Sequence, residues 1–86
     1  MERSIKIRLG IEPNINTISK MVALFNKLDS TVYIQKDYFR RRVNAKSLIG
    51  TLSQSLHFMD VLIISFYGDY AESDAKYIER QIQLIV

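Results

Sequence analysis

Cysteine is absent from all 86 positions of the chain. That absence removes disulfide staples, thiolate nucleophiles and cysteine-ligated metal centres together, and it fits a reducing compartment. Met1 leads straight into Glu2 and Arg3, with no apolar signal-peptide core behind it. Apolar runs such as Val61 to Ile64 are far too short to cross a bilayer. A cytoplasmic location without a membrane partner is therefore the expectation. Histidine occurs once, as His57, with no second ligand at patterned spacing, so neither a metal nor another cofactor is expected. A phosphate-binding glycine loop, motif-paired carboxylates and a nucleophile–base–orienter set are all missing. Catalysis by this chain on its own is not indicated.

What remains is the composition of a small folded domain. Hydrophobic residues make up 48% of the chain and charged residues 24%, well mixed, which argues against disorder. A domain of this size must spend most of its apolar residues on a core. Residues 1–86 read as one domain without a linker or a repeat. The net charge of +3 is mild, and it favours acidic partners without dictating one. Arg40, Arg41 and Arg42 supply a quarter of the twelve basic residues. On a strand their alternation would split them between two faces.

Periodicity divides the chain into seven elements. Ser4 to Leu9 alternates with Ile5, Ile7 and Leu9 on one side, a half-buried strand. Gly10 to Pro13 breaks it. Ile15, Ile18, Val22, Phe25 and Leu28 then trace one helical face, with Asn14 as N-cap and Asp29 and Ser30 as its close. Thr31 to Gln35 is a second strand with Val32 and Ile34 inward. Lys36 and Asp37 form a turn, and Tyr38 to Asn44 returns as a third strand with Phe39 toward the helices; Asp37-Tyr38 is not the Asn-Gly or Asp-Gly signal of a tight hairpin, which leaves room for a longer loop. Ala45 to Leu56 carries Leu48, Ile49, Leu52 and Leu56 at helical spacing, interrupted by Gly50. Asp60 to Tyr67 is a strongly apolar strand. After Gly68 and Asp69, a last helix from about Ala71 presents Ala75, Ile78, Ile82 and Ile85. The order β-α-β-β-α-β-α with amphipathic strands predicts an α+β fold, a four-stranded antiparallel sheet with three helices on one face.

RNA-recognition motifs and HPr-like phosphocarriers both have this order. The segment Val43-Asn44-Ala45-Lys46-Ser47-Leu48-Ile49-Gly50 resembles the regulatory-serine segment of the HPr family, especially its catabolite-repression HPr-like subgroup. The likeness continues through Val61 to Ser65, the Gly68-Asp69 turn and the closing helix. It implies the HPr-like open-faced β-sandwich. The departure lies in the first helix. Asn14 stands where the family has its phosphorylated histidine, and Asn16 where it has an arginine. Phosphoryl transfer in the family needs an imidazole at a helix N-terminus, where free amides receive the phosphoryl group. An asparagine caps that helix without carrying the group.

Ser47 reads structurally as an N-cap. The resemblance adds phosphorylation by HPr kinase/phosphorylase, at a helix start beside the cation of Lys46. Leu48, Ile49 and Leu52 cannot all point inward, because Leu48 and Ile49 lie about 100° apart on a helix. The resemblance makes Lys46, Leu48, Ile49 and Leu52 a partner-binding patch, its apolar members partly buried and partly exposed. A catabolite-control transcription factor is a further implied partner, although Asn16 lacks the arginine's bidentate contact. Tyr33, Val61, Ile63 and Tyr67 face away from the helices and suggest self-association. No nucleic acid is expected: the Tyr38-Phe39-arginine stretch lacks the glycines of an RNA-recognition strand. The reading is thus a regulatory binding protein switched at Ser47. The alternatives are an HPr-fold interaction domain that is never phosphorylated and, third, an RNA-binding plait.

Overall fold

The computed structural model describes all 86 residues. Strand β1 (Glu2–Arg8) is followed by helix α1 (Ile15–Phe25), strand β2 (Thr31–Lys36) and strand β3 (Val43–Asn44). Helix α2 (Leu48–Leu52), strand β4 (Val61–Tyr67) and helix α3 (Ala71–Gln81) complete the chain, with a 3-10 turn over Ile82–Leu84. All pairings are antiparallel in the order β1-β4-β2-β3, so the last strand lies centrally. Ile64 sits opposite Ile5 on one side and Ile34 on the other. The α+β fold with three helices and a four-stranded antiparallel sheet is the one the periodicity predicts.

Alternation builds the core. Val32, Ile34, Leu62, Ile64 and Phe66 are fully buried on the inner face, against Met21, Phe25, Ile78 and Ile82 from the helical layer. Each fully buried side chain of this kind contributes roughly 1.5–3 kcal/mol.

Four expectations change. The third strand does not begin at Tyr38; only Val43 and Asn44 pair with β2, and residues 37–42 form a loop. A strand with Val43 inward would also turn Arg41 inward, where an unpaired guanidinium loses its hydration. Phe39 consequently lies in that loop and is 39% exposed. Second, Lys36 is not in a turn but continues the inward alternation of β2 and is buried. Third, the helix expected over Ala45 to Leu56 is only the single turn Leu48–Leu52. Ser55, at φ 52°, leaves the helical region, and Leu56 reaches the core from the following loop. Gly50 does not interrupt this helix: a Cβ there would come within 3.2 Å of Ser47 Oγ, so glycine permits the close turn. Fourth, Ile15 is 60% exposed, and the inner face of α1 runs instead through Ile18, Met21, Val22 and Phe25.

Candidate functional site

Two helix starts carry the residues of interest. At α1, Asn14 has an extended backbone and its Oδ1 accepts from the Thr17 amide (2.9 Å) and the Thr17 hydroxyl (3.2 Å). Asn14 and Asn16 are both exposed. The site holds no imidazole; His57 lies in the loop before β4.

At α2, Ser47 occupies the N-cap, and its Oγ accepts from the Gly50 amide at 3.0 Å. The serine is half-buried. Leu48 packs against the core, while Ile49 is 82% exposed and Leu52 41% exposed. The three apolar residues therefore divide as their angular spacing requires. Lys46 differs from expectation. Its Nζ donates to the Leu28 carbonyl at 2.7 Å, and its own carbonyl accepts from Asn26 Nδ2 at 3.0 Å. The ammonium is engaged with the chain leaving α1 rather than reserved for the serine. Asn44 Oδ1 accepts from the Lys46 amide at 2.9 Å and closes the approach to the helix.

Three further clusters join residues far apart in sequence. His57 Nδ1 lies 3.2 Å from Glu12 Oε1, which also accepts from the Phe58 amide at 3.1 Å. The solitary histidine thus has a carboxylate partner in the loop that leads into α1. Both side chains are largely exposed, so this pair adds little stability. Lys36 Nζ lies 3.3 Å from Asp60 Oδ2, and both side chains are largely withdrawn from water. The same Asp60 oxygen accepts from the His57 amide at 2.8 Å. Desolvation works against the Asp60 charge, but the His57 amide and the Lys36 ammonium together hold its carboxyl below the ordinary aspartate value. The alternation of β2 already points Lys36 inward; nothing local marks Asp60 as its partner.

The third cluster lies on the outer sheet face. The Arg42 guanidinium stands 4.0 Å from the Tyr33 ring centroid and 5.4 Å from that of Tyr67, and Arg42 Nη1 donates to Tyr67 Oη at 2.8 Å. Tyr33, Val61, Ile63 and Tyr67 do face away from the helices and are half-buried. Arg42 covers the two rings, so the uncovered apolar part of this face narrows to Val61 and Ile63. No cluster of metal-ligating side chains occurs, and no helix is long and apolar enough to cross a membrane.

Comparison with known proteins agrees with this architecture. No curated protein matches the sequence. HPr-C-His from Thermoanaerobacter tengcongensis superposes with a TM-score of 0.78 at 26% identity, covering 96% of this chain and 91% of that one. Crh of Bacillus subtilis, a catabolite repression protein described as a domain-swapped dimer, gives 0.63 at 25% identity over 95% and 92%. The phosphocarrier HPr of Bacillus anthracis gives 0.73 at 22% identity over 91% and 90%, a likeness of fold. The family described as the PTS HPr component phosphorylation site matches residues 1–83, and the chain belongs to this HPr family.

Proposed function

We propose that this chain is a regulatory HPr-family protein, switched by phosphorylation of Ser47 and unable to carry a phosphoryl group on histidine. The observation that carries the reading is the pairing of a serine hydroxyl at the head of α2 with the exposed Ile49 two residues on. A kinase must hold the hydroxyl in line with the nucleotide's terminal phosphate, and an adjacent apolar side chain offers an orienting contact. Ile49 and Leu52 are that contact, with Leu48 supporting them from below. The Ser47 oxygen would bond to phosphorus as the bond to the nucleoside diphosphate breaks, its proton passing to a base of the kinase. Asn14 supports the second half of the proposal, since its amide offers no nucleophilic nitrogen for the relay.

The partners are HPr kinase/phosphorylase and a catabolite-control transcription factor that reads the modified surface. The Crh neighbour's description as a catabolite repression protein supports that assignment. The protein acts in the cytoplasm through contacts and is not itself an enzyme.

Intact mass after incubation with HPr kinase and ATP tests the switch. One added phosphate, absent from Ser47→Ala, is expected; an unmodified protein beside a modified ordinary HPr would overturn it. Enzyme I with phosphoenolpyruvate should leave the mass unchanged. An acid-labile phosphate on any residue, His57 included, would refute the loss of histidine transfer.

A second reading has its own support. The polar side chains of Asn44, Lys46 and Ser47 are all engaged within the chain, as a purely structural segment requires. On that reading the domain binds partners without being phosphorylated. Self-association through Val61 and Ile63, beside Tyr33 and Tyr67, is a separate element of the proposal. Sedimentation should show a concentration-dependent mass that Ile63→Lys abolishes; a strict monomer would leave that face to a different partner.

A further inference from the structure

We infer that the loop between β2 and β3, residues 37–42, is a docking site for a carboxylate-rich protein segment, distinct from the surface around Ser47. The charge distribution points there first. Twelve lysines and arginines oppose nine aspartates and glutamates; without Arg40, Arg41 and Arg42, nine would oppose nine. With Asp37 counted, this one loop carries +2 of the protein's net charge of +3. The nearby carboxylates are already committed, Asp37 to Lys6 at 3.5 Å and Asp60 to Lys36 at 3.3 Å. Arg42 lies over Tyr33 and Tyr67. Arg40 and Arg41 are exposed and form none of the ion pairs in the structure.

The loop is also held in shape. The Phe39 amide donates to the Lys36 carbonyl at 3.0 Å, and Gln35 Nε2 donates to the Phe39 carbonyl at 2.8 Å. Gln54 Nε2 donates to the Arg41 carbonyl at 3.3 Å. Tyr38 and Phe39 meet edge to face at 5.0 Å, above the buried Lys36 ammonium. With the backbone pinned at residues 39 and 41, binding orders side chains alone and loses less entropy than a free loop would. Tyr38 is 68% exposed and Phe39 39%. An aromatic pair beside two unpaired guanidiniums is the composition of interface hot spots, and the arginine fork matches a carboxylate bidentately.

The same residues serve RNA poorly. Base stacking needs open ring faces. Here Lys36 Nζ lies 4.8 Å from the Phe39 centroid, Arg42 covers Tyr33, and the Tyr38 and Phe39 rings stand perpendicular.

Fluorescence anisotropy on the 86-residue protein tests the assignment. The probes are a labelled peptide of alternating glutamate and leucine, its lysine counterpart, and a twelve-nucleotide oligouridine. The glutamate peptide should bind, more weakly as salt rises. The double substitution Arg40→Glu and Arg41→Glu should weaken it about tenfold or more, with the circular dichroism spectrum unchanged. Tyr38→Ala should cost about three- to tenfold with little salt dependence. The same charge reversal elsewhere, Lys20→Glu in α1 with Lys27→Glu just beyond its C-terminus, should change affinity less than about threefold. An equal loss from that pair would reduce the effect to bulk charge and overturn the proposal. So would a failure to bind, or tighter binding of oligouridine, which would make the loop a nucleic-acid surface. None of these outcomes depends on whether Ser47 is phosphorylated.

Discussion

The two helix starts use the same cap and rest on different foundations. Asn14 and Ser47 each have a side-chain oxygen accepting from the amide three residues on, at 2.9 and 3.0 Å. Helix α1 then continues for eleven residues and buries six of them; α2 is a five-residue turn that buries only Thr51. A long amphipathic helix draws its stability from the face it buries. A single turn has little such face, so its cap matters more. The chemistry diverges as well: a serine hydroxyl can accept a phosphoryl group and an asparagine amide cannot. A chemically modifiable group thus stands on the element least able to enforce its own shape.

The largest test of this contrast is Phe25→Ala. That side chain is fully buried beneath α1, and urea unfolding should register a loss of roughly 3–5 kcal/mol. The caps come next. Ser47→Ala and Asn14→Ala should each lie within about 0.5–2 kcal/mol, with the serine the more damaging. Hydrogen exchange should accelerate at Gly50 and Thr51 in the first variant, while the centre of α1 stays protected in the second. Equal local effects would mean that α2 is held by something besides its cap.

Thr51 sharpens the picture further. It is fully buried, and its hydroxyl has no hydrogen-bond partner. Thr51→Val should stabilise the protein by about 1 kcal/mol, because an unsatisfied buried hydroxyl carries a desolvation penalty that a methyl group does not. A loss of stability would place a hidden acceptor beside α2.

Acid tests the region just beyond α2. The folded-state pKa of Asp60 is depressed, so its contribution is complete above the unfolded aspartate value, about 3.9, and is lost as pH falls through the folded one. Acid unfolding of Asp60→Asn should accordingly shift less below about pH 4 than that of the unaltered protein. The smallest effect belongs to Ile49→Ala. An isoleucine 82% exposed should alter stability by no more than about 0.5 kcal/mol while weakening recognition by the proposed kinase.

Where side-chain period and burial agree, the sequence was readable. Ile5 and Ile7, Val32 and Ile34, and Leu62, Ile64 and Phe66 show their strands through alternation alone. Ile18, Val22 and Phe25 likewise announce α1. Asn14 and Ser47 were legible as caps because capping is local, reaching only three residues along the chain. That the chain has a single histidine, outside α1, was legible as a matter of residue identity.

Other features needed the chain to close on itself. Whether residues 38–42 pair as a strand depends on the penalty of turning Arg41 toward the helices, which no window of neighbours contains. Lys46 was engaged by the Leu28 carbonyl, Lys36 by Asp60, and His57 by Glu12 across 45 positions. Composition and period declare which residues can be buried or charged. Which charges meet, and which arginines are left without a partner, is decided only when the sheet sets distant segments a few ångströms apart, because the strength of an ion pair depends on distance and on exposure to water.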